Sequence, residues 1–462
     1  MSSKKLAVIG LGYVGLPLAC LCAKRGYEVI GFDTSSRAID SLLQGKSHIR
    51  DDAVEKLLSE ALDSNNFTPT SDPSSLKSCT SYLICVPTPV NAHHEPDIAP
   101  LEGAIQVISS HLKKGDLVVV ESTVFPGTCE DIVAPMITNL SGLQCDGEIS
   151  LAHCPERVNP GDAFWTSENI PRVVGAMDQV GANRAAQFYA SILGGPVLDV
   201  RDVRSYLRPK FTQGENGELV TKQLPLGSVA KMHSIRDAEA VKAMENTVRD
   251  VNIAFVNELA KISDVLGLDV VDIIDGMSTK PFGKGPFYPG AGVGGHCIAV
   301  DPEWLKAASI KAGYMPELIQ LSRTTNNGMP SYTVGVLQDL YNELGLPLKG
   351  QTVAILGVAY KRNVDDSRES PFYEIRELLI NKGANVTVYD SWISTENTHS
   401  SLEDALKNVS GALIVTDHSD MMAKFLQLDL LSLGLKVIVD GRNALDQQSV
   451  PNSILYRGIG RK

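Results

Sequence analysis

A cysteine at the end of a glycine-rich segment is the residue in this sequence best suited to covalent chemistry. The segment GAGVGGHCIAVDP, residues 290–302, places four glycines ahead of His296 and Cys297. Glycines let backbone amides close around a ligand, and nearby amides and cations can stabilise a thiolate. A buried structural thiol is the alternative for any single cysteine. The glycine-rich context favours a nucleophile.

A second glycine-rich motif, GLGYVG, lies near the start of the chain and predicts a dinucleotide site. It follows a predicted strand and opens a predicted helix. In this G-x-G-x-x-G pattern Gly10 permits a tight turn, Gly12 lets the backbone approach a pyrophosphate, and Gly15 lets the helix pack on the strand. The pyrophosphate would lie at the helix N-terminus. Tyr13 and Val14, in the same loop, are included in the predicted cofactor site.

An acidic residue at the end of the next predicted strand discriminates between nicotinamide cofactors. Asp33 follows Gly15 at about the spacing expected of a dinucleotide-binding fold. Its carboxylate can accept hydrogen bonds from both adenosine ribose hydroxyls and would repel a 2′-phosphate, which favours NAD over NADP. Arg37 is the complication, because a nearby arginine can accommodate that phosphate. Thr88 and Thr123 follow later strands and are candidate cofactor contacts, with ordinary capping as the alternative.

The elements that must position these residues alternate between strands and helices. Predicted strands cover residues 6–10, 27–32, 81–86, 117–120 and 149–152, and then 351–357, 385–389, 413–415 and 437–439. Such alternation is typical of a parallel, doubly wound sheet. Between the two sets, apolar residues from 238 to 266 fit one broad stripe of a long helix. The sequence therefore predicts an α/β protein with two Rossmann-like doubly wound domains joined by a long central helix.

Size and charge exclude several classes of protein. A chain of 462 residues predicts two to four domains. The formal net charge of -12 argues against nucleic-acid binding, and eight cysteines are too sparse for a disulfide scaffold. No apolar run is long enough for a secretory signal or a membrane span, so we expect a cytoplasmic protein without a membrane partner. No metal site is predicted.

One polar segment, residues 201–236, does not fit the alternation. It contains several arginines and a predicted turn. A solvated surface insertion or hairpin is one interpretation, and a lid or a phosphate-facing loop is the other.

Seven motifs in order resemble the UDP-glucose/GDP-mannose dehydrogenase family, and within it the UDP-N-acetylhexosamine 6-dehydrogenases. They are GLGYVG, VPTP, EST-x-x-PGT, HCPERVNPG, KAMENTVRDVNIAFVNEL, YPGAGVGGHCIAVDP and VAILGVAYKRNVDDSRESP. The resemblance implies a four-electron oxidation of a sugar C6 hydroxyl with two NAD. It implies an aldehyde captured as a cysteine thiohemiacetal, a thioester, and its hydrolysis to a carboxylate.

The resemblance also implies catalytic roles for five residues. Cys297 matches the nucleophile, and Lys242 matches the lysine that stabilises the developing oxyanion. Asn246 lies one helical turn beyond Lys242 and should face the same way. Glu156 matches the acid/base of thioester hydrolysis, and Asp301 matches a carboxylate that helps to activate water.

The substrate site is implied in the same way. Lys361 and Arg368 match residues near a uridine diphosphate, and Arg249 matches an arginine near the sugar, from its own subunit or a neighbouring one. Phe287 and Tyr288 either flank the uracil or pack the loop. The other residues assigned to this site are Arg157, Gly290, Gly294 and His296.

Two departures from the UDP-glucose enzymes narrow the expected substrate. Val300 stands where those enzymes usually have lysine, and His296 precedes the cysteine, so UDP-glucose is disfavoured. The motifs are divided between N-acetylmannosamine and N-acetylglucosamine or N-acetylgalactosamine enzymes, with a slight preference for N-acetylmannosamine. A nucleotide-sugar or NAD sensor that has kept only the fold is the non-enzymatic alternative.

The implied organisation has three parts. Residues 1–237 form an NAD-binding Rossmann domain with an insertion at about 201–236. Residues 238–335 form a central helical dimerisation and active-site region, and residues 336–462 form a UDP-sugar-binding Rossmann-like domain. The long apolar helix leads us to expect a homodimer or a higher homo-oligomer.

Overall fold

The computed structural model describes residues 5–49, 51–89, 97–158, 164–207, 224–280, 286–295 and 298–461. The chain divides into two units, Met1–Met244 and Glu245–Lys462. His296 and Cys297 lie outside the described residues.

The first unit is built on one twisted sheet. Its strands are β1 Lys5–Ile9, β2 Glu28–Phe32, β3 Phe67–Thr70, β4 Ser81–Ile84, β5 Leu117–Val120, β6 Ser150–His153, β7 Arg172–Ala176, β8 Val197–Asp199 and β9 Val229–Lys231. In the described part of the chain their order is β3-β2-β1-β4-β5-β6-β7-β9-β8. β6 and β7 pair antiparallel, and the other neighbours pair parallel. The strand order reverses at β1, where open sheets of this type bind ligands.

Helices cover this sheet. They are α1 Gly15–Lys24, α2 Ser36–Leu43, α3 Asp52–Asp63, α4 Ala99–Ser109, α5 Ala134–Ser141, α6 Gln179–Leu193 and α7 Val200–Leu207. α1 is buried over most of its length, which explains its almost uniformly apolar sequence. Side chains of Ser35, Asp51 and Asp178 accept backbone N–H bonds at the N-termini of α2, α3 and α6.

Helix α8, Ile235–Leu266, contains residues of both units and has 32 residues. The long helix predicted from residue 238 is confirmed, and it begins three residues earlier. Ala238 is fully buried near its start. A Cβ atom added at Gly175 of β7 would lie 2.8 Å from the Cβ of Ala238, so a glycine in the strand lets the helix pack closely.

The second unit carries a smaller parallel sheet. Its strands are β10 Thr352–Leu356, β11 Asn385–Tyr389, β12 Gly411–Ile414, β13 Val437–Asp440 and β14 Leu455–Gly458, in the order β11-β10-β12-β13-β14. Its helices after α8 are α9 Val270–Ser278, α10 Asp301–Lys311, α11 Glu317–Asn327, α12 Met329–Glu343, α13 Pro371–Asn381, α14 Leu402–Leu406 and α15 Ser419–Phe425. Apolar clusters lie on both faces of the sheet. A further cluster packs α8 and α9 against Ile459, so the residue that follows β14 shares a core with these helices.

The predicted α/β fold class is confirmed, with two doubly wound sheets and a long helix. The expectation of a surface insertion over 201–236 is wrong at its end. β9 is an inner strand between β7 and β8, and Val229 and Ala230 are buried. The first residues of the segment belong to α7, and residues 208–223 lie outside the described residues. The three-domain boundaries stay a prediction.

None of the described helices combines the length and apolar character needed to cross a membrane. Among the described residues, no group of three or more His, Cys, Asp or Glu side chains is arranged to hold a metal ion.

Candidate active site

The glycine-rich turn between β1 and α1 leaves no room for side chains at its two ends. Gly10 has a φ of 89°, and a Cβ there would lie 2.9 Å from the carbonyl oxygen of Cys85. A Cβ at Gly15 would collide with the carbonyl oxygen of Gly10. A Cβ at Gly12, by contrast, would meet no atom within 4 Å, and this residue is exposed. The turn is therefore closed towards the protein and open on the side where a pyrophosphate would approach.

Asp33 is fixed against this turn. It follows β2, and its Oδ2 accepts the N–H of Leu11 at 2.7 Å while its Oδ1 accepts the N–H of Ser35 at 2.8 Å. An ionised carboxylate has about four lone-pair sites, so two N–H bonds leave capacity for a ribose diol. The residues present thus fit an adenine dinucleotide. Arg37 is exposed in the first turn of α2.

The remaining predicted cofactor contacts occupy the same edge of the sheet. Tyr13 is exposed, and Val14 packs against the core of the first unit. Thr88 is buried after β4, and Thr123 is half-buried after β5. β1, β4 and β5 are neighbours in the sheet, so these residues follow the carboxyl ends of adjacent parallel strands.

Glu156, in the loop after β6, is held by three donors. Its Oε1 accepts the N–H groups of Arg157 at 2.6 Å and Val158 at 2.7 Å. Its Oε2 accepts Nη2 of Arg172 at 2.7 Å. Burial acts to raise the pKa of Glu156, but Arg172, the Val158 N–H and Lys242 outweigh it and hold the pKa below its ordinary value. Glu156 is therefore an ionised acceptor at neutral pH.

Arg172 is itself held by residues that sequence reasoning missed. It is the first residue of β7, and its Nη1 donates to Oε2 of Glu121 at 2.8 Å. The Tyr189 hydroxyl donates to the other oxygen of Glu121. Burial raises the pKa of Glu121 to about 7, and the positive charge of Arg172 opposes that rise. The signal was available: Glu121 follows the buried run LVVV, and a charged residue buried in a strand needs a partner.

Lys242 lies close enough to Glu156 for its positive charge to stabilise the ionised carboxylate. It is buried on α8, and it is among the groups that lower the pKa of Glu156. Three residues earlier on the helix, Glu239 accepts the N–H groups of Gly127 at 2.6 Å and Cys129 at 2.7 Å. This fixes α8 to the loop that follows Thr123.

Arg157 was predicted to contact the substrate. In the structure its guanidinium donates to the carbonyl of Pro171 at 2.9 Å.

In the second unit, the structure pairs two predicted catalytic residues. Nδ2 of Asn246 donates to Oδ2 of Asp301 at 2.5 Å, and both side chains are buried. Asp301 is the first residue of α10, where the helix dipole favours a negative charge. Asn246 is one turn beyond Lys242 on α8, and both are buried, as the spacing predicts.

The glycine-rich segment before the cysteine is anchored at both ends. The N–H of Gly290 donates to Oδ1 of Asn257 at 3.0 Å, and the N–H of Gly295 donates to the carbonyl of Arg368 at 3.0 Å. A Cβ at Gly294 would lie 2.7 Å from the carbonyl oxygen of Glu369, so only glycine fits there. The segment therefore lies against the loop that follows β10.

A buried hydrogen-bond network holds the backbone of Gly290 in place. Nδ2 of Asn257 donates to Oδ1 of Asn326 at 2.8 Å, and Nδ2 of Asn326 donates to Oδ1 of Asp250 at 2.7 Å. Nη1 of Arg323 pairs with the same oxygen of Asp250 at 2.7 Å. The network links α8 and α11 to the glycine-rich segment.

The predicted substrate residues have unlike surroundings. Phe287 packs against the cluster of α8, α9 and Ile459, and the Tyr288 hydroxyl donates to Oδ1 of Asp275 at 2.5 Å. Arg249 is exposed on α8. Lys361 is half-buried after β10, and Arg368 is exposed and pairs with Asp366 at 2.7 Å.

Comparison with known proteins gives family matches along most of the chain. Three models of the UDP-glucose/GDP-mannose dehydrogenase family match: the NAD binding domain at residues 4–193, the central domain at 236–328 and the UDP binding domain at 354–447.

Named relatives and a solved structure agree with these matches. A UDP-N-acetyl-D-mannosamine dehydrogenase of Pyrococcus horikoshii is 33% identical over 99% of each chain. A UDP-N-acetyl-D-glucosamine 6-dehydrogenase of Pseudomonas aeruginosa is 34% identical over 86% of this chain and 85% of its own. The structure of a UDP-D-ManNAc dehydrogenase from Pyrococcus horikoshii superimposes with a TM-score of 0.85, at 33% identity, over 99% of both chains.

Proposed function

The chain belongs to the UDP-glucose/GDP-mannose dehydrogenase family, and on that premise we propose that it oxidises the C6 hydroxyl of a UDP-N-acetylhexosamine to a carboxylate. It is a nucleotide-sugar dehydrogenase with an NAD-binding domain and a UDP-binding domain. UDP-N-acetylmannosamine is the proposed sugar nucleotide, because relatives of that activity match over almost the whole chain.

The Asn246–Asp301 hydrogen bond carries the proposal. The two residues are far apart in sequence, and the motifs assign both to the same reaction. Their 2.5 Å contact in a buried position supports that assignment. Asp301 follows Cys297 by four positions, so this member of the pair lies close along the chain to the proposed nucleophile.

The proposed reaction proceeds through a sulfur adduct. NAD supplies the hydride acceptor for each of the two oxidations, and each oxidation also releases one proton. After the first, the Cys297 thiolate adds to the aldehyde carbon while the aldehyde oxygen takes a proton, which gives a thiohemiacetal. Loss of a second hydride and the hydroxyl proton leaves a thioester. Water then cleaves the carbon–sulfur bond, which releases the carboxylate and one proton and returns the thiol.

Charged and amide groups of the chain support these steps. The Lys242 ammonium and the Asn246 amide are proposed to stabilise negative charge on the sugar oxygen, and one such donor is worth about 3 kcal/mol. Glu156, kept ionised by its three donors, is proposed to accept a hydrogen bond from the hydrolytic water. Asp301, held by Asn246, is the second proposed acceptor for that water.

The nucleotide is proposed to bind the UDP-binding domain through Lys361 and Arg368. A guanidinium presents paired N–H donors that match a diphosphate, and Arg368 is exposed for such a contact. Tyr288 is exposed as well, whereas Phe287 packs the loop against the core, which favours the packing alternative for that ring.

We further propose that a second copy of the chain covers one face of α8. Val248, Phe255 and Ile262 are exposed and repeat every seven residues, a spacing typical of helix pairing. A homodimer would bury this stripe.

Product stoichiometry tests the proposed activity. Purified protein given NAD and a panel of UDP-N-acetylhexosamines with UDP-glucose should form two NADH per sugar oxidised, and UDP-N-acetylmannosamine should have the highest kcat/KM. One NADH per sugar with free aldehyde as product would contradict the thioester route. A higher kcat/KM for UDP-N-acetylglucosamine would overturn only the choice of sugar.

A further inference from the structure

Three hydrogen-bond donors fix the position of the Glu156 side chain. Two backbone N–H groups hold Oε1 and one guanidinium N–H holds Oε2. The side chain is only 13% exposed. Of the three donors, the Arg172 guanidinium is the one that a substitution can remove.

The side chain of Arg172 is fully buried, and it bridges two carboxylates. Its Nη1 and Nη2 donate to Glu121 and Glu156 at 2.8 Å and 2.7 Å. The Tyr189 hydroxyl holds the far oxygen of Glu121, and the Tyr189 ring lies 5.5 Å from the guanidinium. A buried cation is stable only with such partners, and the same partners fix its orientation. Glu121, Arg172 and Tyr189 are called the support triad below.

We propose that Arg172 is a positioning residue for thioester hydrolysis: it fixes Glu156 in one orientation and keeps it ionised, while Glu121 and Tyr189 hold Arg172 in place. This rests on the proposed role of Glu156 in the hydrolytic step. Arg172 itself touches neither substrate nor cofactor in this scheme.

The charges around Glu156 show that Arg172 is the main group that keeps this carboxylate ionised. The titratable and charged groups that act on Glu156 are Arg172 from β7, Glu121 after β5, Lys242 from α8, and the thiols of Cys85 and Cys154. Burial raises the pKa of both thiols, so they are neutral at physiological pH. Without Arg172, burial would favour the protonated form of Glu156, with Lys242 as the opposing cation.

A purely structural role for the support triad makes a different prediction. If the support triad only joined β5, β7 and α6, its loss would lower the stability of the protein and slow every step of the reaction equally. A positioning role slows hydrolysis more than hydride transfer and changes the pH dependence of hydrolysis. The two roles can therefore be separated in variants that fold.

The variants are chosen to avoid an uncompensated buried charge. Arg172→Lys keeps the cation but loses the fork, and the double variant Glu121→Gln with Arg172→Gln removes one charge of each sign. Tyr189→Phe weakens the support triad because it removes the hydroxyl that donates to Glu121. Tyr82→Phe is the matched control, because this buried hydroxyl of the same unit donates to backbone carbonyls of Leu76 and Cys79, away from the support triad.

The covalent intermediate is the readout. The purified protein is mixed with NAD and UDP-N-acetylmannosamine, quenched in acid, and weighed by intact mass spectrometry, while NADH absorbance reports hydride transfer. We expect thioester to accumulate in the Arg172 variants, with hydrolysis about ten- to a hundredfold slower and the first NADH burst nearly unchanged. The acid limb of hydrolysis should move upward by about one pH unit or more in the double variant, by less in Arg172→Lys and Tyr189→Phe, and not in Tyr82→Phe.

Two outcomes overturn the inference. If folded Arg172 variants lose hydride transfer and hydrolysis equally, with an unchanged pH profile, the support triad is structural. If hydrolysis stays at the wild-type rate in them but falls in Glu156→Gln, Glu156 acts without Arg172. Glu156→Gln separates this failure from that of the proposed function, because unimpaired hydrolysis in that variant would remove the hydrolytic role of Glu156 itself.

Discussion

Replacement of Asn257 by alanine should loosen the glycine-rich segment that leads to Cys297. Asn257 makes two buried bonds: it accepts the N–H of Gly290 and donates to Oδ1 of Asn326. The alanine variant leaves both partners without the groups they pair with. An unsatisfied buried group costs about 1–3 kcal/mol, so the two should destabilise the second unit by about 2–6 kcal/mol.

Asn252→Ala is the matched control on the same helix. Its Nδ2 donates to the carbonyl of Val248 one turn earlier at 2.6 Å, at the surface of the structure. Loss of this local bond should cost less than about 0.5 kcal/mol. The comparison removes the common effect of shortening an asparagine on α8.

Urea unfolding followed by tryptophan fluorescence is a suitable assay, because Trp304 and Trp392 both belong to the second unit. We expect a lower midpoint for Asn257→Ala and a fall in kcat of about ten- to a hundredfold, since a displaced nucleophile loses alignment with its target. Equal midpoints for the two alanine variants would refute the argument that the buried network anchors Gly290.

Three other predictions concern chemistry, assembly and pH. Cys297→Ser should abolish formation of the uronic acid, measured by product chromatography, and leave NAD binding intact by calorimetry. Phe255→Asp should convert the proposed dimer to monomer in light scattering, because it puts a charge in an apolar stripe where Phe255 is 54% exposed, whereas Leu43→Asp on α2 should not. Burial acts to raise the pKa of Asp390, but hydrogen bonds from His418 and from backbone N–H groups outweigh it and lower the pKa to about 2. Its stabilising contribution is therefore complete above its ordinary pKa and lost as pH falls through about 2. The fall in the free energy of unfolding below about pH 4 should thus be larger by about 2 kcal/mol in the wild type than in Asp390→Asn.

Long apolar runs predicted the sheets well. All nine strands expected from sequence are present, because runs such as LVVV over Leu117–Val120 are buried on both faces and short enough to exclude a helix. Three of the five strands that were not predicted lack this pattern. β3 contains a proline, and β8 and β9 have three residues each, so their pairing depends on neighbours and not on local preference.

Helical spacing predicted how Lys242 and Asn246 are related on α8, whereas the sequence did not identify the residues that support Glu156. Lys242 and Asn246 are buried one turn apart on α8 because helical geometry fixes that relation from sequence alone. Arg172 and Tyr189 are 51 and 68 residues from Glu121, and only the order of the strands brings them together. A buried charge can be noticed in a sequence, but its partner cannot be chosen without the fold.

The two doubly wound sheets place an aspartate at the same point and use it differently. Asp33 follows β2 beside β1, as Asp390 follows β11 beside β10. Asp33 is half-buried and accepts N–H groups from Leu11 and Ser35, which leaves acceptor capacity for a ligand.

Asp390 is only 2% exposed, and its oxygens are already occupied. Oδ2 accepts the N–H of Val358 at 2.5 Å and pairs with Nε2 of His418 at 3.0 Å, while Oδ1 accepts the N–H of Trp392 at 2.6 Å. No ribose could bind such a carboxylate without breaking bonds inside the protein. Because the same topology thus gives one aspartate free to recognise a nucleotide and one committed to structure, the dinucleotide belongs to the first sheet on the chemistry of the site, which the fold alone would not decide.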